Sequence, residues 1–200
     1  MSALASRRAF LAAALCASLC PRWVPAKAIG GVTVPERALL AGPLELPLRG
    51  AGVFRFLFIR YYVCGLYAQG GLRAAPAILA ADAPRRISLF ALRRITAFEF
   101  LWGLDRGLTA NASGEELKAL EAQLESVRAT VREIGAIPEH ARVDIDYLPP
   151  GGTLIAIDGR RRGGPLPGKP LNDALMRVWI GERPLDAALK EALLDAQAET

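Results

Sequence analysis

The sequence predicts an α+β fold in which helices lie on one face of an antiparallel sheet, and three observations carry that expectation. The stretch Val53 to Tyr67 is rich in aromatic and β-branched residues and contains no proline. The segment Leu117 to Ile134 repeats apolar residues at alternating spacings of three and four. Strand-like segments come first, helical patterns follow, and a hairpin and further helices close the chain. With 200 residues, 52% hydrophobic and 22% charged, the chain is too apolar for intrinsic disorder and has the size of one domain.

The first element is an export signal, expected at residues 1–28. Arg7 and Arg8 precede the apolar run Ala9 to Cys20, and Pro25-Ala26-Lys27-Ala28 sets small residues where a signal peptidase reads. Ser6-Arg7-Arg8-Ala9-Phe10-Leu11 is of the twin-arginine type, which carries folded proteins out of the cytoplasm. The periplasm is the expected destination, and the folded domain is expected at 29–200. The run is shorter than the ~20 residues of a spanning helix, so no integral membrane span is expected. Four of the 25 Lys and Arg fall in this segment and none of the 20 Asp and Glu, leaving 21 bases against 20 acids. That near balance gives no overall field to attract nucleic acid or anionic lipid. Of the three cysteines, Cys16, Cys20 and Cys64, only Cys64 lies past the signal, so no intrachain disulfide forms. The single His140 and these cysteines lack zinc-like spacing. No metal and no cofactor are expected.

Short strands are expected at Gly30 to Pro35 and Leu44 to Leu48, separated by Gly42 and Pro43. Val53 to Tyr67 is apolar on both alternating faces, as a strand covered on both sides requires, and reads as one very long strand or two joined near Phe58 to Arg60. Arg86 to Leu92 is a strand with Ile87, Leu89 and Ala91 on one side. Thr96 and Glu99 have capping-box spacing and open a helix to about Ala110; Ser113 and Glu116 repeat the device before the striped helix that ends at Ile134. Arg142 to Leu148 and Thr153 to Asp158 form a hairpin with Val143, Ile145 and Tyr147 facing the core, and Asp144 and Asp146 on a solvated face near Arg160, Arg161 and Arg162. Gly159 to Lys169 is expected as a surface loop, Asn172 to Ile180 as a helix stopped by Gly181, and the residues after Pro184 as a final helix to about Ala196.

Several of these segments together resemble the chalcone isomerase-like proteins. They are Gly50-Ala51-Gly52-Val53-Phe54-Arg55, Tyr61-Tyr62-Val63-Cys64-Gly65-Leu66-Tyr67, Gly107 to Asn111, and Ala174 to Gly181 with Pro184. The resemblance looks closest to an exported bacterial branch and implies an open-faced sandwich, a large antiparallel sheet backed by helices with a ligand cleft between. In the plant enzymes of this family an arginine after the Gly-x-Gly turn polarises the substrate for ring closure, helped by a tyrosine, an asparagine and a late Thr or Ser. Here Phe54 holds the arginine's place and Arg55 follows it; Leu104 stands where the tyrosine would be; Val178 and Trp179 precede Ile180 where the hydroxyl is expected. Asn111 matches.

No catalytic residue is therefore assigned, and the expected function is non-catalytic binding of an apolar or amphipathic small molecule such as a fatty acid. The candidate ligand-binding residues are Arg55, Tyr62, Thr109 and Asn111. Arg55 would reach the cleft only through a register shift, since neighbours on a strand point to opposite faces. The alternative is an intramolecular lyase or isomerase that uses Arg55. Arg60, Tyr61, the Asp144 and Asp146 pair and His140 read as structural or exposed positions. No nucleophile elbow, phosphate loop or dinucleotide fingerprint occurs.

Overall fold

The computed structural model describes residues 25–40 and 43–195. The twin-arginine segment and the rest of the expected signal up to residue 24 lie outside the described residues. In chain order the elements are Ala26–Ile29 (β1), Val32–Pro35 (β2), Arg37–Leu39 (β3), Glu45–Phe56 (β4), Ile59–Ala68 (β5), Ala75–Ala80 (α1), Arg85–Ala91 (β6), Ile95–Thr96 (β7), Ala97–Asn111 (α2), Gly114–Ala119 (α3), Glu121–Ile134 (α4), Ala136–Ile137 (β8), Arg142–Leu148 (β9), Gly152–Ile157 (β10), Arg160–Leu166 (β11), Lys169–Ile180 (α5) and Ala187–Leu194 (α6).

Seven strands form one sheet in the order β11-β10-β9-β6-β5-β4-β3, with every neighbouring pair antiparallel. The helices pack on one face, where Tyr62, Cys64, Leu66, Ile87, Leu89, Val143, Ile145, Ile155 and Ile157 meet Leu104, Leu108, Leu124, Val127, Leu175 and Val178 in the main core. Val63, Tyr67 and Leu46 point the other way and are covered by Val34 and Ala38, from β2 and β3. This is the expected α+β sandwich.

The two glycines of the Gly-x-Gly turn have a packing role. A side chain on Gly50 would lie 2.2 Å from the Ala192 carbonyl oxygen, and one on Gly52 would lie 2.8 Å from the Ala192 Cβ. Only glycine lets α6 come down onto β4 here.

Several expectations are corrected by the observed elements. The Val53 to Tyr67 segment is two strands joined at Leu57 and Phe58, one residue earlier than expected. The helix expected from Ser113 to Ile134 is broken at Leu120 into α3 and α4. Ser113 does cap α3, accepting from the Glu116 amide at 3.1 Å. The Glu116 carboxylate, however, pairs with Arg177 of α5 instead of closing a capping box. Within the expected loop Gly159 to Lys169, Arg160–Leu166 forms an edge strand, β11, whose arginines are exposed as charges on sheet edges usually are. The last helix begins at Ala187, capped by Asp186, not at Pro184.

The largest correction concerns Asp144 and Asp146, which are buried, not solvated. Arg86 donates to Asp146 through two nitrogens, at 2.5 and 2.7 Å, and Ser88 donates to Asp144 at 2.7 Å. The reason lies in register. Arg86 stands directly opposite Asp146 and Ser88 opposite Asp144, so β6 supplies the partners that the sequence reading sought on the far side of the hairpin. Burial raises the Asp146 carboxyl pKa, and the Arg86 hydrogen bond and charge oppose that rise.

Candidate functional site

Between the β4–β5 hairpin and helices α2 and α5 lies a cavity of about 260 Å³. Its size is close to the lower end of the ~300–1,000 Å³ usual for small-molecule sites. Phe54, Phe56, Tyr61 and Tyr62 form the sheet wall, Phe98, Phe100, Trp102, Gly103 and Leu104 the α2 wall, and Val178, Trp179 and Leu185 the floor.

The alternation of β4 makes this wall. Gly50, Gly52, Phe54 and Phe56 face the helices, and Arg55 faces away and is exposed. A register shift does occur at this point, but on the partner strand. Phe54 pairs with Tyr62 and Arg55 with Arg60, so Tyr61 is the extra residue. The bulge turns both Tyr61 and Tyr62 toward the cavity and leaves the facing of Arg55 unchanged. The isomerase alternative needed the Arg55 guanidinium in the cleft, and the structure puts it on the opposite face of the sheet.

Tyr62 is the one sequence-predicted ligand residue that lines the cavity. Its ring stacks on Phe54, centroids 4.9 Å apart, and its oxygen accepts the Trp179 indole N–H at 3.0 Å. Burial drives its hydroxyl pKa far above the ordinary value, so it stays protonated. Among the described residues no acceptor takes that hydroxyl proton, which leaves it free to donate to a ligand. The neighbouring Cys64 is wholly buried, and burial likewise raises its thiol pKa, which makes it inert.

Thr109 and Asn111 stand elsewhere. Thr109 is exposed on α2 and donates back to the Asp105 carbonyl at 2.8 Å. Asn111 ties the end of α2 to the turn after α5, donating to the Gly107 and Arg183 carbonyls at 2.9 and 2.7 Å and accepting from the Arg183 amide at 2.9 Å. A helix C-terminus needs such partners for its last carbonyls, so the family-motif asparagine is a latch here.

Besides the Tyr62 hydroxyl, the polar groups at the cavity are Glu99 and Arg106 of α2, not the Thr109 and Asn111 expected on that helix. Glu99 lines the wall, but it accepts from Thr96 N–H and from Arg93, both at 2.8 Å. The Thr96 backbone hydrogen bond, with the Thr96 hydroxyl and Arg93, holds its pKa below the ordinary value, and its charge is thereby neutralised in place. Arg106 sits at the mouth over the Trp102 ring, 5.4 Å from the centroid. Phe98, Trp102 and Arg106 recur every four residues and so share one face of α2. That spacing was the signal available in the sequence.

With this geometry in hand, the comparisons with known proteins are decisive at the level of family. A model of the chalcone isomerase-like family matches residues 26–195. The chain belongs to the chalcone isomerase-like family. A fatty-acid binding protein of Arabidopsis thaliana has the same fold, with a TM-score of 0.61 at 20% identity, over 82% of this chain and 92% of that one. No curated protein matches the chain.

Proposed function

We propose that this protein binds an apolar or amphipathic small molecule, a fatty acid being the favoured class, and that it does so in the periplasm after export. One observation carries the reading: an aromatic-walled cavity of about 260 Å³ has its free cation, Arg106, at the mouth and none at the depth where the family arginine is replaced by Phe54. An ionised carboxylate pushed beside Phe54 would lose its hydration with no charge to compensate. At the mouth it meets Arg106 and water. The tail then lies inward along Phe56, Phe100 and Leu104, and Tyr62 offers its hydroxyl to any acceptor carried deeper. The fatty-acid binding protein of the same fold supports the ligand class.

The test uses Gly103, whose α-carbon faces the cavity and whose nearest foreign atom to an added Cβ is Leu185 Cδ1 at 3.9 Å. Gly103→Leu sends its side chain into the cavity from a Cβ that meets no clash, and replaces a poor helix former by a good one, a gain of up to ~1 kcal/mol. Native mass spectrometry with dodecanoate is expected to show a one-to-one adduct for the natural chain and none for Gly103→Leu, which should melt no lower. Equal adducts on both proteins, or none on either, would remove the cavity from the account.

A further inference from the structure

The β4–β5 hairpin ends in a tip whose composition contradicts its geometry. Its loop residues are Leu57 and Phe58, and Leu57 has φ 56°, a conformation that tight hairpins normally give to glycine or asparagine. Leu57 is 77% and Phe58 99% exposed, and Ile59 is also exposed. Beside them on α2 stand Phe98, 78% exposed, and Trp102, the latter with its ring edge-on to Phe56 at 5.1 Å. Of these residues Phe98 and Trp102 line the cavity, as does Phe56 at the base of the tip.

Its base is cationic. Arg55 and Arg60 face each other across the hairpin in direct register, bracketing the apolar residues. Like charges directly opposite destabilise a strand pair unless an anion sits between them. Among the described residues neither has a carboxylate partner, and Arg60 spends one N–H on the Gly30 carbonyl. Arg106 adds a third cation, and the acids nearest it are engaged, Glu99 by Arg93 and Asp105 by Arg128. Past residue 28 the bases and acids number 21 and 20, so these arginines are a local concentration of charge and not part of a general one.

We infer that the hairpin tip, with Phe98 and Trp102, docks on an anionic lipid bilayer surface, so that an amphipathic ligand passes between the leaflet and the cavity without crossing water. The shape favours a bilayer over a protein partner. A narrow protruding finger inserts its apolar residues below the headgroups while arginines at its base reach phosphate and Trp102 settles at the interface. The inference rests on the binding reading above for its purpose, but the two fail separately.

The experiment is flotation of the full chain with vesicles of phosphatidylcholine alone or of equal parts phosphatidylcholine and phosphatidylglycerol. The apolar run Ala9 to Cys20 is common to every variant, so the tip reads out as a difference between variants. The natural chain should float with the anionic vesicles and less with the neutral ones. Phe58→Ser should lower partitioning about tenfold, and the double variant Arg55→Gln with Arg60→Gln should weaken the preference for anionic lipid relative to the natural chain. Both should take up dodecanoate from water as the natural chain does, which shows that they fold and that the cavity is a separate matter. Gly103→Leu should float normally. No flotation, flotation indifferent to lipid charge, equal flotation of Phe58→Ser, or a dimer in lipid-free solution that Phe58→Ser dissociates would each overturn the proposal, the last by giving the patch to a second copy of the chain.

Discussion

At the scale of the residue, the site is defined by where its cation stands. Phe54 occupies the strand position at which the family's plant enzymes carry arginine, and it stacks on Tyr62 so that the inner end of the cavity is aromatic. The arginine next to it, Arg55, follows the pleat to the other face. In the proposed binding mode Arg106 on α2 is left to meet the carboxylate, in an exposed setting where a charge pair contributes only ~0.2–1 kcal/mol. Arg106→Gln should therefore weaken dodecanoate binding modestly, about two- to fivefold, and leave the affinity for methyl dodecanoate unchanged. Titration calorimetry with the two ligands checks this. An equal loss for both would mean that Arg106 acts through the packing of Trp102 and not through its charge.

At the scale of the element, sequence patterns located most strands and helices because hydrophobic period and capping chemistry are local. The Thr96 and Glu99 capping box is present as read, and so is the hairpin of Arg142–Leu148, whose Val143, Ile145 and Tyr147 stand opposite Ile157, Ile155 and Thr153. What the patterns missed depended on partners distant in sequence. The use of Glu116 by Arg177 needs α5 in place, and the burial of Asp144 and Asp146 needs the register of β6. The Gly-x-Gly turn was legible as a motif but not as the seat of α6. Gly50→Ala would drive a methyl into the Ala192 carbonyl and should destabilise by about 1–3 kcal/mol, read from urea denaturation. The capping box carries a pH signature. Glu99 has a pKa depressed in the folded state, so its contribution is present above the unfolded carboxylate value near ~4.3 and is lost as pH falls through the lower folded value. The difference in Tm between the natural chain and Glu99→Gln should be open at neutral pH and close as the pH drops below about 4.

At the scale of the whole molecule, fold and family were legible in the joint order of several short motifs. The site was less so, because a cavity is made by side chains from β4, β5, α2 and α5 that no single stretch displays. Tyr62 was within reach since it lies on a strand whose facing could be counted. Thr109 and Asn111 were not, since one turn of α2 separates a cavity wall from a structural latch. The N-terminus joins the two scales. A cut after Ala28 would remove three of the four residues of β1 and leave Ile29 alone opposite Val32. It would also release the Pro25 carbonyl that accepts from the Glu36 amide at 2.8 Å. The hairpin covers Val63 and Tyr67 through Val34, so its loosening bears on the face of the sheet opposite the cavity. A chain begun at Ile29 should melt lower than one begun at Pro25, by about 2–4 °C for each ~1 kcal/mol of lost pairing, while dodecanoate binding stays the same. The intact mass of protein recovered from the periplasm of an expressing bacterium should correspond to a start at Ile29; a mature mass that retains Ala26 to Ala28 would mean that processing respects the strand and that the cleavage site lies upstream of it.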